Sequence, residues 1–360
     1  MTAKPYGAYF PNRIAARHQF VRHSKHRRDF LTYCYGPSGE PFPSHLTLRQ
    51  RVERAYLWSE YEAWEQWQRA GRQIFDFSLG LLEMLALTDV SHVGVEMLRL
   101  PYPACYLDLS AAGLRMGDDK SPLIEGVYVL EDSTPLDEAG HELDRMIHLS
   151  FTGNYIEQYA YVNEQLTEMG GRGFNAYTLL HDVDESGPEP HVLPTPIGKV
   201  VAAAASTFAT GFMDDADEPT RAAILDLHVS FVARTVNLVV NCLLYLMWPD
   251  REVKPAYAPG LPVHLATRLT KATTRRRRQV AEANLAAAGF TRVAYVGDSV
   301  LPRAQRPEVV TGSVAAHWRR GHWRKQRWGP GLQEERPIWI QPTIVNKDTG
   351  KAAKGRVYDV

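Results

Sequence analysis

This 360-residue chain has few cysteines and lacks a long apolar run. Cys34, Cys105 and Cys242 are far apart and odd in number, which excludes a disulfide framework or a CxxC zinc site built from them. The longest apolar run, 236–248, has 13 residues and contains two asparagines, so it is too short to cross a bilayer. The first residues lack the apolar core of a signal peptide. We therefore expect a cytoplasmic protein with no membrane partner.

Several signatures of catalysis and cofactor binding are also missing. The chain has no GxxxxGK[ST], GxGxxG or GxSxG element, so nucleotide-binding and hydrolase classes gain no support. His317 and His322 lack the i,i+4 spacing of helical zinc ligands, and no cysteine lies near them. Asp118 and Asp119 lie in a predicted turn, where solvation is favoured over magnesium binding. We expect neither a metal nor another cofactor.

The formal net charge is +0, but the charges are segregated along the chain. Residues 83–226 contain 25 Asp or Glu against 7 Lys or Arg, a balance of −18. Residues 268–336 contain 5 acidic against 15 basic residues, a balance of +10. This segregation favours a basic surface for an anionic partner beside an acidic body. The alternative is that the two ends of the chain simply neutralise its middle.

Apolar periodicity predicts an α+β fold, with helical segments packed on a small mixed or antiparallel sheet. An amphipathic helical region is predicted over about 47–87, with a possible break at Gly71 or Gly80, and a second helix runs from Pro219 to Pro249. Asn237 and Asn241 lie one turn apart in that helix, where a structural hydrogen-bond pair is favoured over a site, since buried amides need partners. Strands are predicted at 104–110, 124–130, 146–151 and 291–296.

Composition divides the chain into four parts. Residues 1–45 form a basic, Pro-rich arm that is predicted to be irregular. Residues 46–250 form an α+β body with an acidic surface. Residues 251–312 contain a linker, an Arg-rich helix and a strand. Residues 313–360 form a C-terminal module rich in His, Trp and Arg that contains β-structure.

The most distinctive stretch is 317–328, which contains five cations, two imidazoles and three indoles. Cations neutralise phosphates and indoles stack on unpaired bases, so this composition favours nucleic-acid binding. The alternative is a basic surface strand whose tryptophans pack on the core. The residues predicted to contact nucleic acid are Arg319, Arg320, Trp323, Arg324, Lys325 and Arg327, together with the helical run Arg275, Arg276, Arg277 and Arg278.

His317, His322 and Arg320 are candidates for metal-independent RNA cleavage. One imidazole would take the 2′-OH proton, the other would protonate the leaving oxygen, and the guanidinium would stabilise the phosphorane. The spacing argues against this pairing, because residues five apart lie on opposite faces of a strand and about 140° apart on a helix. Only a break at Gly321 would bring the imidazoles together. Otherwise one imidazole faces phosphate or base and the other packs.

Three sequence blocks resemble, in order, a known family over roughly residues 95–346. The blocks are Leu98–Pro101 with Cys105–Ser110, then Leu243–Asp250, then His317–Trp323 with Trp339–Pro342 and Val345–Asn346. Together they resemble the large anti-CRISPR family directed at the type V-A effector nuclease. The resemblance implies recognition of the start of the nascent nuclease polypeptide and loss of the mRNA being translated. It also implies that the C-terminal motif consists of His317, Arg319, Arg320, Gly321, His322, Trp323 and Pro342.

The resemblance leaves two parts of the chain without a clear parallel. The N-terminal arm has no counterpart in the family. Some relatives have His at the position of Arg324, which weakens a cleavage model based on several histidines. An acidic body for a peptide partner and a basic end for RNA would suit the family's activity.

We therefore interpret the chain as a cytoplasmic protein of phages, plasmids or related mobile elements that engages RNA and lowers expression of a target protein. Its expected partners are ribosome-associated mRNA and the nascent polypeptide of a target such as a type V-A CRISPR nuclease. Cleavage by the protein itself or by a host ribonuclease stays open. One alternative is a stand-alone, toxin-like endoribonuclease that uses His322, His317 and neighbouring Arg. Another is a DNA-binding accessory or regulatory protein of a phage or plasmid.

Overall fold

Helices pack on a mixed β-sheet, which confirms the α+β class. The computed structural model describes residues 4–21, 24–35, 48–90, 93, 98, 100–115, 123–132, 146–153, 176–179, 183–184, 191–192, 234–302, 317–319 and 321–345. Its helices are α1 (Phe10–Arg13), α2 (Ala15–Val21), α3 (Ser24–Tyr35), α4 (Leu48–Arg69), α5 (Leu79–Ala86), α6 (234–247), α7 (Val263–Thr270) and α8 (Arg275–Ala287). Short 3-10 turns lie at Tyr6–Ala8, Ser110–Ala112 and Pro330–Leu332.

The described strands carry both the sheet and a C-terminal hairpin. They are β1 (Ile74–Phe77), β2 (Thr88–Asp89), β3 (Ala104–Asp108), β4 (Ile124–Asp132), β5 (Met146–Gly153), β6 (Ala176–Leu179), β7 (Val183–Asp184), β8 (His191–Val192), β9 (Val253–Ala256), β10 (Val293–Val296), β11 (His317–Arg319), β12 (Gly321–Trp328), β13 (Glu334–Ile340) and β14 (Thr343–Val345). The strands predicted at 104–110, 124–130, 146–151 and 291–296 are confirmed as β3, β4, β5 and β10.

Seven of the described strands form one mixed sheet in the order β6-β5-β4-β3-β1-β10-β9. Its centre is parallel, with Asp76 of β1 aligned with Asp108 of β3 and Tyr295 of β10. The outer strands pair antiparallel. The helical region predicted over about 47–87 is broken at Gly71, one of the two predicted positions: α4 ends at Arg69 and Gly71 adopts a positive φ of 96°. The strand β1 that follows the break was not predicted. A strand of four residues is too short for its alternation to be told from helical periodicity.

Alternating side chains place a separate core on each face of the sheet. One face buries Phe75, Phe77, Leu107, Val127 and Val129 under α5 and α6. The other face buries Ile74, Tyr106 and Tyr128 against Trp64 and Trp67 of α4 and against the N-terminal segment. Full burial of one such apolar side chain stabilises the fold by about 1.5–3 kcal/mol, so both layers are needed to hold the sheet.

The N-terminal arm is helical, so the expectation of an irregular arm over 1–45 is wrong for its described residues. Helices α1, α2 and α3 follow one another, and Tyr9 and Phe10 are buried against the sheet side of α4. His18 Nε2 lies 2.9 Å from Glu60 Oε1 of α4, and both side chains are buried. The prolines of the arm suggested an irregular segment, but its aromatic residues supply the apolar surface that attaches it to the body.

Among the described residues, none of the helices has both the length and the apolar character needed to span a bilayer. The helix α6 ends just before Pro249, as expected from the loss of a backbone donor at proline. Strands β9 and β10, from the part of the chain expected to contain a linker, extend the same sheet as β1. These two strands of the 251–312 part are thereby joined to the strands of the 46–250 part in one sheet.

Candidate nucleic-acid interface

The C-terminal module is built on the hairpin of β12 and β13. His322 aligns with Ile340, Trp323 with Trp339, and the register continues to the end of β12. Strand β12 also pairs in parallel with the short strand β2, where His322 aligns with Asp89. Because side chains alternate along a strand, Trp323 and Trp339 lie on one face of the hairpin and His322 lies on the other.

The tryptophan face of the hairpin is buried in the body's core. Trp323 and Trp339 are 5% and 4% exposed, and their rings stack with centroids 6.0 Å apart. Trp339 also meets Tyr245 and Trp248 of the α6 region edge-on. The structure therefore places Trp323 in the core, where its indole is not accessible for stacking on a base, because the strand's parity turns it inward.

A hydrogen-bond network holds the two buried indoles. Trp323 Nε1 donates to Asn241 Oδ1 at 2.7 Å, and Trp339 Nε1 donates to Thr88 Oγ1 at 3.1 Å. The Asn241 amide donates to the backbone oxygens of Thr88 and Asn237, at 3.1 and 3.0 Å. Buried polar groups need such partners, so Asn241 has a structural role and fixes the hairpin to α6 and β2.

Gly321 is required by close packing at the start of β12. A Cβ atom there would lie 2.7 Å from both Pro342 Cδ and Thr88 Oγ1. Contacts this short are not tolerated between heavy atoms without a shift of the neighbours. Two residues of the C-terminal motif, Gly321 and Pro342, therefore hold the hairpin in place.

The opposite face of the hairpin carries Arg324 and Arg336. Arg324 is exposed, and its Nη2 donates to Gln326 Oε1 at 2.9 Å. Arg336 lies opposite Gln326 in the register, and its guanidinium sits 4.9 Å from the ring centroid of Trp328. Trp328 is 43% exposed. With half-buried His322 on the same face, this surface, called the motif face below, combines cations, an imidazole and an accessible indole.

Several predicted site residues fall outside the part of the chain that the structure describes. These are Arg320 and the side chains of His317, Trp318, Arg319 and Lys325, as well as Asp118 and Asp119. The backbone of His317 lies in β11, which pairs with β14 rather than with β12. The paired-imidazole arrangement of His317 and His322 thus stays a prediction. Arg327 is exposed and lies on the same face of β12 as Trp323, opposite the motif face.

A second basic surface lies where α7 and α8 meet. The run Arg275–Arg278 forms the first turn of α8, which is capped by Thr274 Oγ1 accepting from the Arg277 backbone N at 3.3 Å. Arg278 pairs with Glu282 at 3.3 Å. Arg276 and Arg277 instead line a groove with residues of α7. The sequence pointed to the arginine run but not to Arg268 and Lys271, which lie three residues apart in the last turn and at the C-cap of α7.

A buried polar cluster lies at the carboxyl ends of the parallel strands. Tyr9 Oη donates to Asp76 Oδ2 at 2.6 Å, and Lys4 Nζ contacts Asp108 Oδ2 at 2.7 Å. Burial raises the pKa of Asp76 to about 6, although the Tyr9 hydrogen bond lowers it. Burial and the nearby Asp76 charge raise the pKa of Tyr9. The cluster attaches the N-terminal arm to the sheet, and no sequence motif indicated it.

Among the described residues, no group of three or more His, Cys, Asp or Glu side chains is arranged to hold a metal ion. The exposed cations of the hairpin and of the α7–α8 surface have the charge that suits an anion.

The AcrVA2-like family, described as the anti-CRISPR type V subtype A2 family, matches residues 75–347. The chain belongs to this family. The match extends from β1 to just beyond β14 and confirms the resemblance expected from the sequence blocks. The N-terminal arm and α4 lie outside the matched range of this AcrVA2-like chain.

One solved structure, the crystal structure of AcrVA2, aligns with 93% of this AcrVA2-like chain and 99% of its own chain. The alignment has 13% sequence identity and a TM-score of 0.43. No curated protein sequence matches the chain significantly.

Proposed function

We propose that this AcrVA2-like protein engages RNA at the ribosome and lowers expression of a type V-A CRISPR nuclease. In this proposal it recognises the start of the nascent nuclease polypeptide and causes loss of the mRNA being translated. Membership of the anti-CRISPR type V subtype A2 family supports the target class.

The observation that carries the RNA part of the proposal is the division of the C-terminal motif between two faces. Gly321 and Trp323 fix the hairpin to the core, and this packing explains the presence of these two residues in the motif. His322 and Arg324 lie on the other face, away from the buried packing around Trp323. Two functions, one structural and one of binding, thus alternate along a single strand.

The chemistry of the motif face suits single-stranded RNA. Arg324 and Arg336 supply positive charge for phosphates, and the exposed part of Trp328 supplies a surface on which a base stacks. His322 offers an imidazole that exchanges hydrogen bonds with a 2′-OH or a phosphate oxygen. These groups bind RNA without requiring cleavage, so a host ribonuclease can carry out the cleavage.

The nascent-chain part of the proposal is tested in bacterial cells that express a type V-A nuclease with and without this protein. Nuclease mRNA and protein are measured for four transcripts: unchanged, with the start codon removed, with synonymous first codons, and with a frameshift after the start codon. We expect depletion of the unchanged and synonymous transcripts only. Depletion of the untranslated transcript, or inhibition of the nuclease with its mRNA unchanged, would overturn the proposal.

Cleavage by the protein itself is tested separately with purified protein, single-stranded RNA and EDTA. We expect binding without shortening of the RNA. Shortening that persists in EDTA and disappears in His322→Ala would establish the toxin-like endoribonuclease instead. Preferential binding of duplex DNA in a competition assay would establish the DNA-binding alternative.

A further inference from the structure

The groove between α7 and α8 is a basic surface distinct from the hairpin. The helices are joined by residues 271–274, and the groove has a volume of about 730 Å³. Its cations are Arg268, Lys271, Arg276 and Arg277, and its apolar lining is Ala272, Val280 and Ala281. An apolar lining has a low dielectric constant, which strengthens the field of the cations around it.

The positive charge of this groove is not neutralised within the helix pair. From Val263 to Ala287 the chain has six Lys or Arg residues and one carboxylate, Glu282. Glu282 pairs with Arg278 and with Arg292, and it lines a different cleft, beside Tyr257. Within the described part of the chain, neither Arg276 nor Arg277 has an ion pair.

In the absence of a ligand, the arginine run at the start of α8 lowers the stability of this helix. The first turn of α8 contains the four arginines and no acidic residue. Cations at a helix N-terminus oppose the helix dipole, and like charges three or four residues apart repel each other. An anion at this end would relieve both effects, and the amides of the first turn would also point towards it. The arrangement therefore gives up stability of the free protein and gains attraction for an anion.

We propose that the α7–α8 groove binds the phosphate backbone of RNA without regard to base sequence. This contact is in addition to the one proposed for the motif face. None of the residues that line the groove is aromatic, so it has no ring on which a base stacks. All of the charged residues that line it are cations, and phosphate contacts position a nucleic acid without specifying its sequence. The choice of RNA as the ligand rests on the proposed function. The arrangement of α8, in which Arg276 and Arg277 line the groove while Arg278 pairs with Glu282, does not depend on it.

The test compares neighbouring arginines of α8. Arg277→Ala removes a cation of the groove, and Arg278→Ala removes an equal charge that already pairs with Glu282. Binding of a labelled oligouridylate to the full chain is measured by fluorescence anisotropy over a range of salt concentrations. We expect Arg277→Ala to reduce the log–log salt slope by about 0.7, the value for one phosphate contact on a single strand. Arg278→Ala should leave the slope nearly unchanged.

Thermal unfolding at low salt supplies a second measurement. If the groove is built for an anion, Arg277→Ala should unfold at the same or a higher temperature while it binds oligouridylate more weakly. A lower unfolding temperature together with normal binding would show that Arg277 has only a structural role, and would overturn the proposal.

A third variant, Arg324→Ala on the motif face, separates the two proposals. If Arg324→Ala weakens oligouridylate binding and Arg277→Ala does not, the groove proposal fails and RNA engagement stands.

Equal losses of affinity in Arg277→Ala and Arg278→Ala would also overturn the groove proposal, because they would indicate an effect of total charge. If the unaltered protein binds no oligouridylate but binds duplex DNA through Arg277, the groove is a phosphate site and RNA engagement fails. Absence of binding to both nucleic acids overturns both proposals.

Discussion

The indole of Trp323 in β12 donates a hydrogen bond to Asn241 in α6 at 2.7 Å, in the core of the protein. This bond links the C-terminal hairpin to a helix 82 residues earlier in the chain. Since Asn241 also donates to Thr88 O in β2, one amide side chain joins three separate segments. The position of the motif face depends on this junction.

A double-mutant cycle measures the strength of the Trp323–Asn241 bond. Asn241→Leu leaves the indole N–H unpaired in the core, and Trp323→Phe leaves the amide oxygen unpaired. Each change should lower the free energy of unfolding by at least about 1–3 kcal/mol, and the double variant should be less destabilised than the sum by about 1 kcal/mol. Urea denaturation gives these values. Additive effects would show that the two groups do not interact.

Substitution of Gly321 should destabilise the hairpin. In Gly321→Ala the new methyl group meets Pro342 and Thr88 at 2.7 Å, and overpacking of this kind costs about 1–3 kcal/mol. The matched control is Gly7→Ala, whose methyl group meets nothing within 4 Å. We expect a lower unfolding temperature for Gly321→Ala and little change for Gly7→Ala. Equal effects would contradict the close packing at β12.

Asp76 should make the protein less stable as the pH rises through the range from about 4 to 6. Its folded pKa of about 6 lies above its ordinary value of 3.8, so the folded state binds more protons and stability falls between these two values. Asp76→Asn keeps an oxygen that accepts from Tyr9 and removes the buried charge. Relative to the unaltered protein, it should gain up to about 2–3 kcal/mol between pH 4 and pH 7. Urea denaturation across this range tests the slope, and a constant difference between the two proteins would exclude this role.

Trp328 should report RNA binding through its fluorescence. It is the exposed indole of the hairpin, whereas Trp323 and Trp339 are buried. A base that stacks on it should quench its emission, and Trp328→Ala should weaken binding by about 1–3 kcal/mol with the fold intact. Full affinity in a folded Trp328→Ala variant would show that the ring serves only to pack against Arg336.

His322→Ala should reduce depletion of nuclease mRNA in cells without a large loss of thermal stability, because the imidazole is half-buried on the motif face. His322→Gln keeps hydrogen-bonding capacity but cannot act as an acid or base. We expect His322→Gln to retain part of the activity if the imidazole only binds RNA. Parallel losses of activity and unfolding temperature in His322→Ala would assign it a packing role.

The fold was partly predictable because several of its elements have clear local signals. The alternation in β3, β4, β5 and β10 is strong enough to predict each strand. β1 has four residues between two helices, and its pairing with β10 depends on a segment more than 200 residues away. Such a strand is defined by tertiary contacts rather than by its own sequence.

The candidate site was predictable in composition but not in orientation. Strand parity required Trp323 and His322 to face opposite directions, yet only the Asn241 and Trp339 contacts show which face is buried. The arginine run was visible in the sequence, but its division between the groove and Glu282 required the orientation of α8 against α7.

The central position of β1 has a consequence for how the chain is made. Its two neighbours in the sheet are β3, which follows within 30 residues, and β10, which is synthesised more than 200 residues later. Until β10 appears, one edge of β1 carries unpaired backbone groups, which is the kind of edge that promotes aggregation. Contacts this distant in sequence also form slowly. A product that terminates prematurely before residue 293 should therefore be insoluble and rapidly degraded rather than partly active.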